Sequence, residues 1–136
     1  MQPLPLVWVV DDEHVNRLLA RAYLERAGWV VVEFDNGLSA LRSLQRTQPD
    51  AMLLDVRMPG LSGDDLVRQI RLLHPDTPMR LVGYAAHCFP ETIKAILDAG
   101  FDEVLVKPVS YQQVSDALPL PDQPPILWLV PDRPAS

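Results

Sequence analysis

The chain has 136 residues, a formal net charge of −6, 48% hydrophobic and 22% charged residues, and a single cysteine, Cys88. That length suits one domain with one core and a short appendage; the acidic balance gives no electrostatic footprint for nucleic acid, and no apolar run approaches the ~20 residues of a membrane helix. One cysteine excludes an intramolecular disulfide and a thiolate-rich zinc site, and the start, Met1-Gln2-Pro3-Leu4-Pro5, lacks the basic region of a signal peptide, so a cytoplasmic location is expected, with no membrane or nucleic-acid partner.

Apolar runs and amphipathic stretches alternate along the chain. Leu6-Val7-Trp8-Val9-Val10 reads as a buried strand that opens into Asp11-Asp12. Residues 14–27 place Val15, Leu18, Leu19 and Ala22 on one helical face, and Gly28 offers a C-cap. Residues 29–34, rich in valine, form the second strand. Asn36 caps a helix over 37–48 with Leu38, Leu41 and Leu44 facing inward, and Pro49-Asp50 breaks it. Ala51-Met52-Leu53-Leu54 is a third strand, ending at Asp55.

Met58-Pro59-Gly60-Leu61-Ser62-Gly63 is a loop by composition. Leu66, Val67, Ile70 and Leu73 mark a helix stopped by His74-Pro75, and residues 80–85 are a fourth strand containing Gly83. Pro90 opens a helix carrying Ile93, Ile96 and Leu97 that ends at Gly100. Residues 103–106 are the fifth strand, and Ser110 with Gln113 makes a capping box for a last helix that Pro119 ends early. Strict alternation predicts an α/β fold, a five-stranded parallel sheet covered on both faces in a doubly wound (βα)5 arrangement. By analogy with flavodoxin-like sheets, the strand order is 2-1-3-4-5, which brings the C-terminal ends of strands 1, 3 and 5 to one crevice.

Asp11, Asp12, Asp55 and Lys107 stand at those ends. Converging carboxylates repel one another unless a cation sits among them. A hard divalent ion such as Mg2+ accepts a few carboxylate oxygens and keeps several waters, and a lysine supplies a further positive charge. Asp55, at the centre, then serves as ligand and as nucleophile toward a phosphoryl donor. A cis bond at Lys107-Pro108 is one way to aim the lysine inward. Taken alone, Asp11-Asp12-Glu13 is equally an acidic first turn complementing a helix dipole; the joint placement at three strand ends carries the chemical reading.

Val9-Val10-Asp11-Asp12-Glu13, Leu53-Leu54-Asp55-Val56-Arg57-Met58-Pro59-Gly60-Leu61-Ser62-Gly63, and Ala99-Gly100-Phe101-Asp102 leading to Val106-Lys107-Pro108 together resemble the receiver domain of two-component response regulators. The resemblance spans 6–118 and preserves the order and spacing of the motifs. It implies phosphorylation of Asp55 from a phosphohistidine on a sensor histidine kinase or a histidine phosphotransfer protein. It also implies Mg2+ bound by Asp11, Asp12, Asp55 and the Arg57 carbonyl, and Lys107 on the phosphoryl oxygens. On this reading the domain is not an enzyme beyond catalysing its own phosphoryl transfer and dephosphorylation. Asp12-Glu13-His14-Val15-Asn16-Arg17 is similar to receivers of hybrid sensor kinases.

Two positions depart from that pattern. Receivers carry Ser or Thr at the end of strand 4, where this chain has Ala85, and an aromatic residue three positions before the lysine, where it has Val104. The chemistry is complete while both halves of the usual hydroxyl–aromatic switch are missing. This favours a relay or phosphate sink, the alternative being a backbone amide or water in place of the hydroxyl. Tyr84 is read chiefly as strand packing, with replacement of the missing aromatic as the other reading. His87 is read as an exposed loop residue, and Cys88 as an inert thiol.

The domain is expected over 1–118, with a proline-rich linker and apolar tail over 119–136. Within that tail Ile126-Leu127-Trp128-Leu129-Val130 either echoes the first strand or covers an edge or a partner. A homodimer through helix 4, strand 5 and helix 5, or through 126–130, is the expected self-association. The competing function is a phosphate-independent interaction module on the same fold. An aspartyl phosphatase is disfavoured because the two acids after strand 1 are adjacent, and a flavin site because the first loop is acidic.

Overall fold

Strands that are apolar on both faces need helices above and below them, and the chain supplies both layers. The computed structural model describes residues 4–86 and 89–121, in which β1 (Leu6–Val10), α1 (His14–Arg26), β2 (Val30–Phe34), α2 (Gly37–Ser43), β3 (Ala51–Asp55), α3 (Gly63–Leu73), β4 (Arg80–Ala85), α4 (Pro90–Asp98), β5 (Glu103–Val106) and α5 (Tyr111–Ala117) alternate. Every strand pairing is parallel, and the order is β2-β1-β3-β4-β5. The expected architecture and strand order are both observed. His87, Cys88 and the 122–136 segment lie outside the described residues, and with them the expectations for the histidine, the thiol and the 126–130 run.

The two-residue period of the strands divides the core into two. Val7, Val9, Leu53 and Val82 face α1 and α5, meeting Ala20, Leu24, Val114 and Ala117. Trp8, Val10, Met52, Leu54 and Leu81 face α2, α3 and α4, meeting Ala40, Leu66, Val67, Ile70 and Ile96. Ser110 and Gln113 form the expected capping box, and the Asn36 side chain accepts from Ser39 N at the start of α2.

Two helices differ from the sequence expectation. In α1 the face of Val15, Leu18, Leu19 and Ala22 points to solvent, with Val15 73%, Leu18 49% and Leu19 45% exposed. Ala20 and Leu24 lie on the sheet instead, and Arg17 and Arg21 turn toward Glu33 of β2 in ion pairs of 3.1 and 2.8 Å. Those two arginines hold the Glu33 carboxyl below its usual range, Arg21 most strongly. The second is α2, which stops at Ser43 and continues only as turns through residue 46, closed by Arg46 N to Ser43 O. Pro49 biases the residue before it away from helix. Leu44 is buried, but Leu38 is 47% exposed rather than inward. On α3 and α4, Leu73 and Leu97 are likewise exposed, while Leu66, Val67, Ile70 and Ile96 make the contacts.

The face assignment of α1 is testable by denaturant unfolding. Leu24→Ala is expected to cost about 2–5 kcal/mol, whereas Leu19→Ala stays within about 0.5 kcal/mol. Comparable losses at the two positions would place α1 in a different rotation.

Candidate functional site

β1 and β3 are neighbours in register, with Val10 opposite Leu54, so the next residues of each strand, Asp11 and Asp55, emerge side by side. Asp11 N donates to Phe34 O at 3.1 Å, keeping the chain on the sheet for one residue past β1. Lys107 follows β5, and its N–H is bonded to Ala85 O at 2.8 Å; the Lys107–Pro108 bond is cis, as expected. The lysine side chain reaches across β4, and its Nζ lies 3.2 Å from Asp55 Oδ2 and 4.0 Å from Asp11 Oδ2. Asp11, Asp12 and Asp55 each present a carboxylate oxygen, all within 4.8 Å of one another. Asp11 and Asp55 are buried and Asp12 is exposed.

Backbone groups hold the two buried carboxylates. Glu13 N donates to Asp11 Oδ1 at 2.9 Å, and Arg57 N donates to Asp55 Oδ1 at 3.0 Å. Arg17 Nη1 donates to Asp11 O at 2.7 Å, so the arginine that pairs with Glu33 also fixes the strand end. Gly63, the first residue of α3, packs on Asp55 so closely that a Cβ there would stand 2.3 Å from Asp55 O. This contact requires glycine for space and sets the direction in which the loop leaves β3.

A buried carboxylate resists ionisation. Burial pushes the Asp55 carboxyl above its usual range, the Arg57 N–H opposes that, the Asp11 charge adds to it, and Lys107 pulls it down. Three acids facing one lysine leave negative charge over, and the cluster donates only hard carboxylate oxygens. That donor set fits a hard divalent cation such as Mg2+ and no soft metal.

All four residues singled out from the strand ends therefore meet in one crevice. Arg57 lies two residues after Asp55, its side chain exposed and its N–H on Asp55. Ala85 is the last residue of β4, buried and without a hydroxyl to offer, and Val104 sits on β5 opposite Gly83, half-buried. Tyr84, expected chiefly as strand packing, has a further contact that the sequence does not show. It is buried as packing requires, yet its hydroxyl donates to Asp11 Oδ2, and Lys107 Nζ lies 4.6 Å from the centre of its ring. The strand register held the signal: Tyr84 is the β4 residue opposite Asp55.

The family model for the response regulator receiver domain matches residues 7–119. The sensor histidine kinase GacS of Pseudomonas protegens is 35% identical over 117 residues, covering 84% of this chain and 13% of the kinase. The transcriptional regulator NtrC of Escherichia coli is 35% identical over 103 residues, covering 76% of this chain and 22% of the regulator. The chain thus spans only a small part of these relatives. Among solved structures, the receiver domain of sensor histidine kinase PA1611 from Pseudomonas aeruginosa, described with a magnesium ion in its active site cleft, superposes with a TM-score of 0.77 at 28% identity, covering 85% of this chain and 95% of that one. Chemotaxis protein CheY4 of Vibrio cholerae gives 0.78 at 25% identity, with coverage of 85% and 97%. No helix among the described residues is long and apolar enough to cross a membrane. The match over 7–119 and the shared fold establish that this chain belongs to the response regulator receiver domain family.

Proposed function

We propose that this domain accepts a phosphoryl group on Asp55 from a phosphohistidine of a sensor histidine kinase or phosphotransfer protein, with Mg2+ held by Asp11, Asp12, Asp55 and the Arg57 carbonyl. The observation that carries this reading is the Lys107 ammonium 3.2 Å from Asp55 Oδ2 in a crevice holding two further carboxylates. A lone catalytic carboxylate would need no such surplus of acids.

In the transfer, an Asp55 oxygen forms a bond to phosphorus as the N–P bond of the donor breaks, and the histidine nitrogen leaves with that electron pair. The Arg57 N–H orients the Asp55 carboxylate for this attack by holding Oδ1. Lys107 stays beside the oxygens on which charge develops, and such fixed positive charge is the main protein contribution to phosphoryl transfer. Bound magnesium supplies further charge neutralisation on those oxygens. Because Ala85 brings no hydroxyl and Val104 no ring, the reading out of the phosphoryl state is weak or follows another route, which suits a relay or sink. The protein donor docks on the exposed Val15, Leu18 and Leu19 face of α1, which starts two residues after Asp12 at the crevice rim.

Incubation with Mg2+ and phosphoramidate, read by intact mass, tests the chemistry. One phosphoryl adduct is expected on the wild type and none on Asp55→Asn; a wild type without adduct would instead make this a phosphate-independent interaction module. With an autophosphorylated sensor histidine kinase as donor, Leu18→Asp is expected to slow transfer by about tenfold or more while leaving the phosphoramidate reaction intact. Equal effects on both donors would remove α1 as the docking face.

Asp55 is also a group whose charge the fold tolerates poorly. Its raised value means the folded chain keeps the proton where the unfolded chain has released it, so ionisation works against folding as pH rises through that value. In metal-free buffer Asp55→Asn is therefore expected to unfold at higher denaturant than the wild type. The gap widens as pH rises above the ordinary carboxylate range, and a narrowing gap would contradict the assignment.

A further inference from the structure

The β4 side chains that face α1 and α5 are Val82 and Tyr84, which pack with Leu53, Leu105, Val9 and Ala20 on that face, and the Tyr84 end of this cluster borders the acidic crevice. Packing there calls for bulk, and a hydroxyl in such surroundings is unfavourable unless it finds a partner. The Tyr84 hydroxyl finds Asp11 Oδ2. The other oxygen of that carboxylate is taken by Glu13 N at 2.9 Å. Both oxygens of Asp11 are thus fixed from the protein side, and each retains a second lone pair.

We propose that Tyr84 is a positioning residue for the metal: its hydroxyl, by donating to Asp11 Oδ2, holds the Asp11 carboxylate in place for the divalent cation. The proposal rests on the phosphoryl-transfer reading above and deepens it. Lys107 Nζ stands 4.0 Å from Asp11 Oδ2, near enough to draw an unrestrained carboxylate into a closed ion pair. Two restraints prevent that closure. The Tyr84 hydroxyl holds Asp11, and the Tyr84 ring, 4.6 Å from Nζ, together with Asp55 Oδ2 at 3.2 Å, holds the lysine. Asp11 is thereby kept available to a cation while Lys107 is kept with Asp55. A phenol keeps its proton near neutral pH and so can act as the donor here. Partners that orient ligating carboxylates in this way commonly carry 10–100-fold, by order of magnitude, of metal affinity.

The test is calorimetric titration of the full chain with Mg2+ alone, for the wild type and Tyr84→Phe, which deletes the hydroxyl and keeps the ring. Tyr84→Phe is expected to bind Mg2+ about 10–100-fold more weakly, and the Mg2+ concentration giving half-maximal phosphorylation by phosphoramidate is expected to rise in proportion. Affinity within about threefold of the wild type, or tighter, overturns the proposal; tighter binding would mean that the hydroxyl competes with the cation. If Tyr84→Phe does not fold, the wild type carries the test through the Tyr84 13Cζ resonance, which is expected to move on Mg2+ saturation and overturns the proposal if it stays still. A wild type that binds Mg2+ while Tyr84→Phe matches it defeats only this inference. A wild type that binds none defeats the functional reading as well.

Discussion

Two buried carboxylates, Asp11 and Asp55, share one ammonium at the carboxyl end of a parallel sheet. Such a group of charges is stable only if every oxygen has a partner and the backbone carrying it cannot relax. The surrounding residues meet both conditions. Glu13 and Arg57 donate backbone N–H groups, Lys107 and Tyr84 donate from side chains, and Arg17 ties the Asp11 carbonyl to the β2 ion pair. Gly63 lets α3 begin directly against Asp55. The sheet order places β1, β3 and β4 side by side, which is what makes these contacts possible from residues so far apart in sequence.

The same constraint separates chemistry from reporting. The charged and hydrogen-bonding groups beside Asp55 follow β1, β3 and β5, while the position at the end of β4 holds Ala85 and contributes no side-chain donor. Tyr84, one residue earlier, points to the opposite core and reaches Asp11 instead. The β4 hydroxyl of this chain therefore addresses the Asp11 carboxylate, on the α1 side of the sheet, with Ala85 packed among residues of the α3 and α4 side.

The crevice is legible in the sequence because strand ends can be read from where apolar runs stop, and acids or a lysine at those stops stand out. Strict alternation points to the parallel sheet, and its strand order comes from fold analogy alone. Features set by helix rotation and by side-chain reach were not legible. The stripe Val15, Leu18, Leu19, Ala22 has the period of a buried face, yet α1 turns on the pairing of Arg17 and Arg21 with Glu33, a tertiary contact that local periodicity does not encode. The end of α2 at Ser43, ahead of the turns over 44–46, is set by how the backbone closes on itself before Pro49. Tyr84 looked like any strand aromatic, since the partner of its hydroxyl lies 73 residues away and is fixed only by register.

The central claim is that the buried acids form a site completed by a hard cation. Its most direct measurement is the unfolding free energy of the full chain with and without Mg2+ at neutral pH. Binding to the folded state alone predicts a gain of about 2.7 kcal/mol at a hundredfold excess over Kd, lost in Asp11→Asn and Asp55→Asn. An unfolding free energy that ignores Mg2+ in the wild type, or rises equally in the two variants, would contradict it.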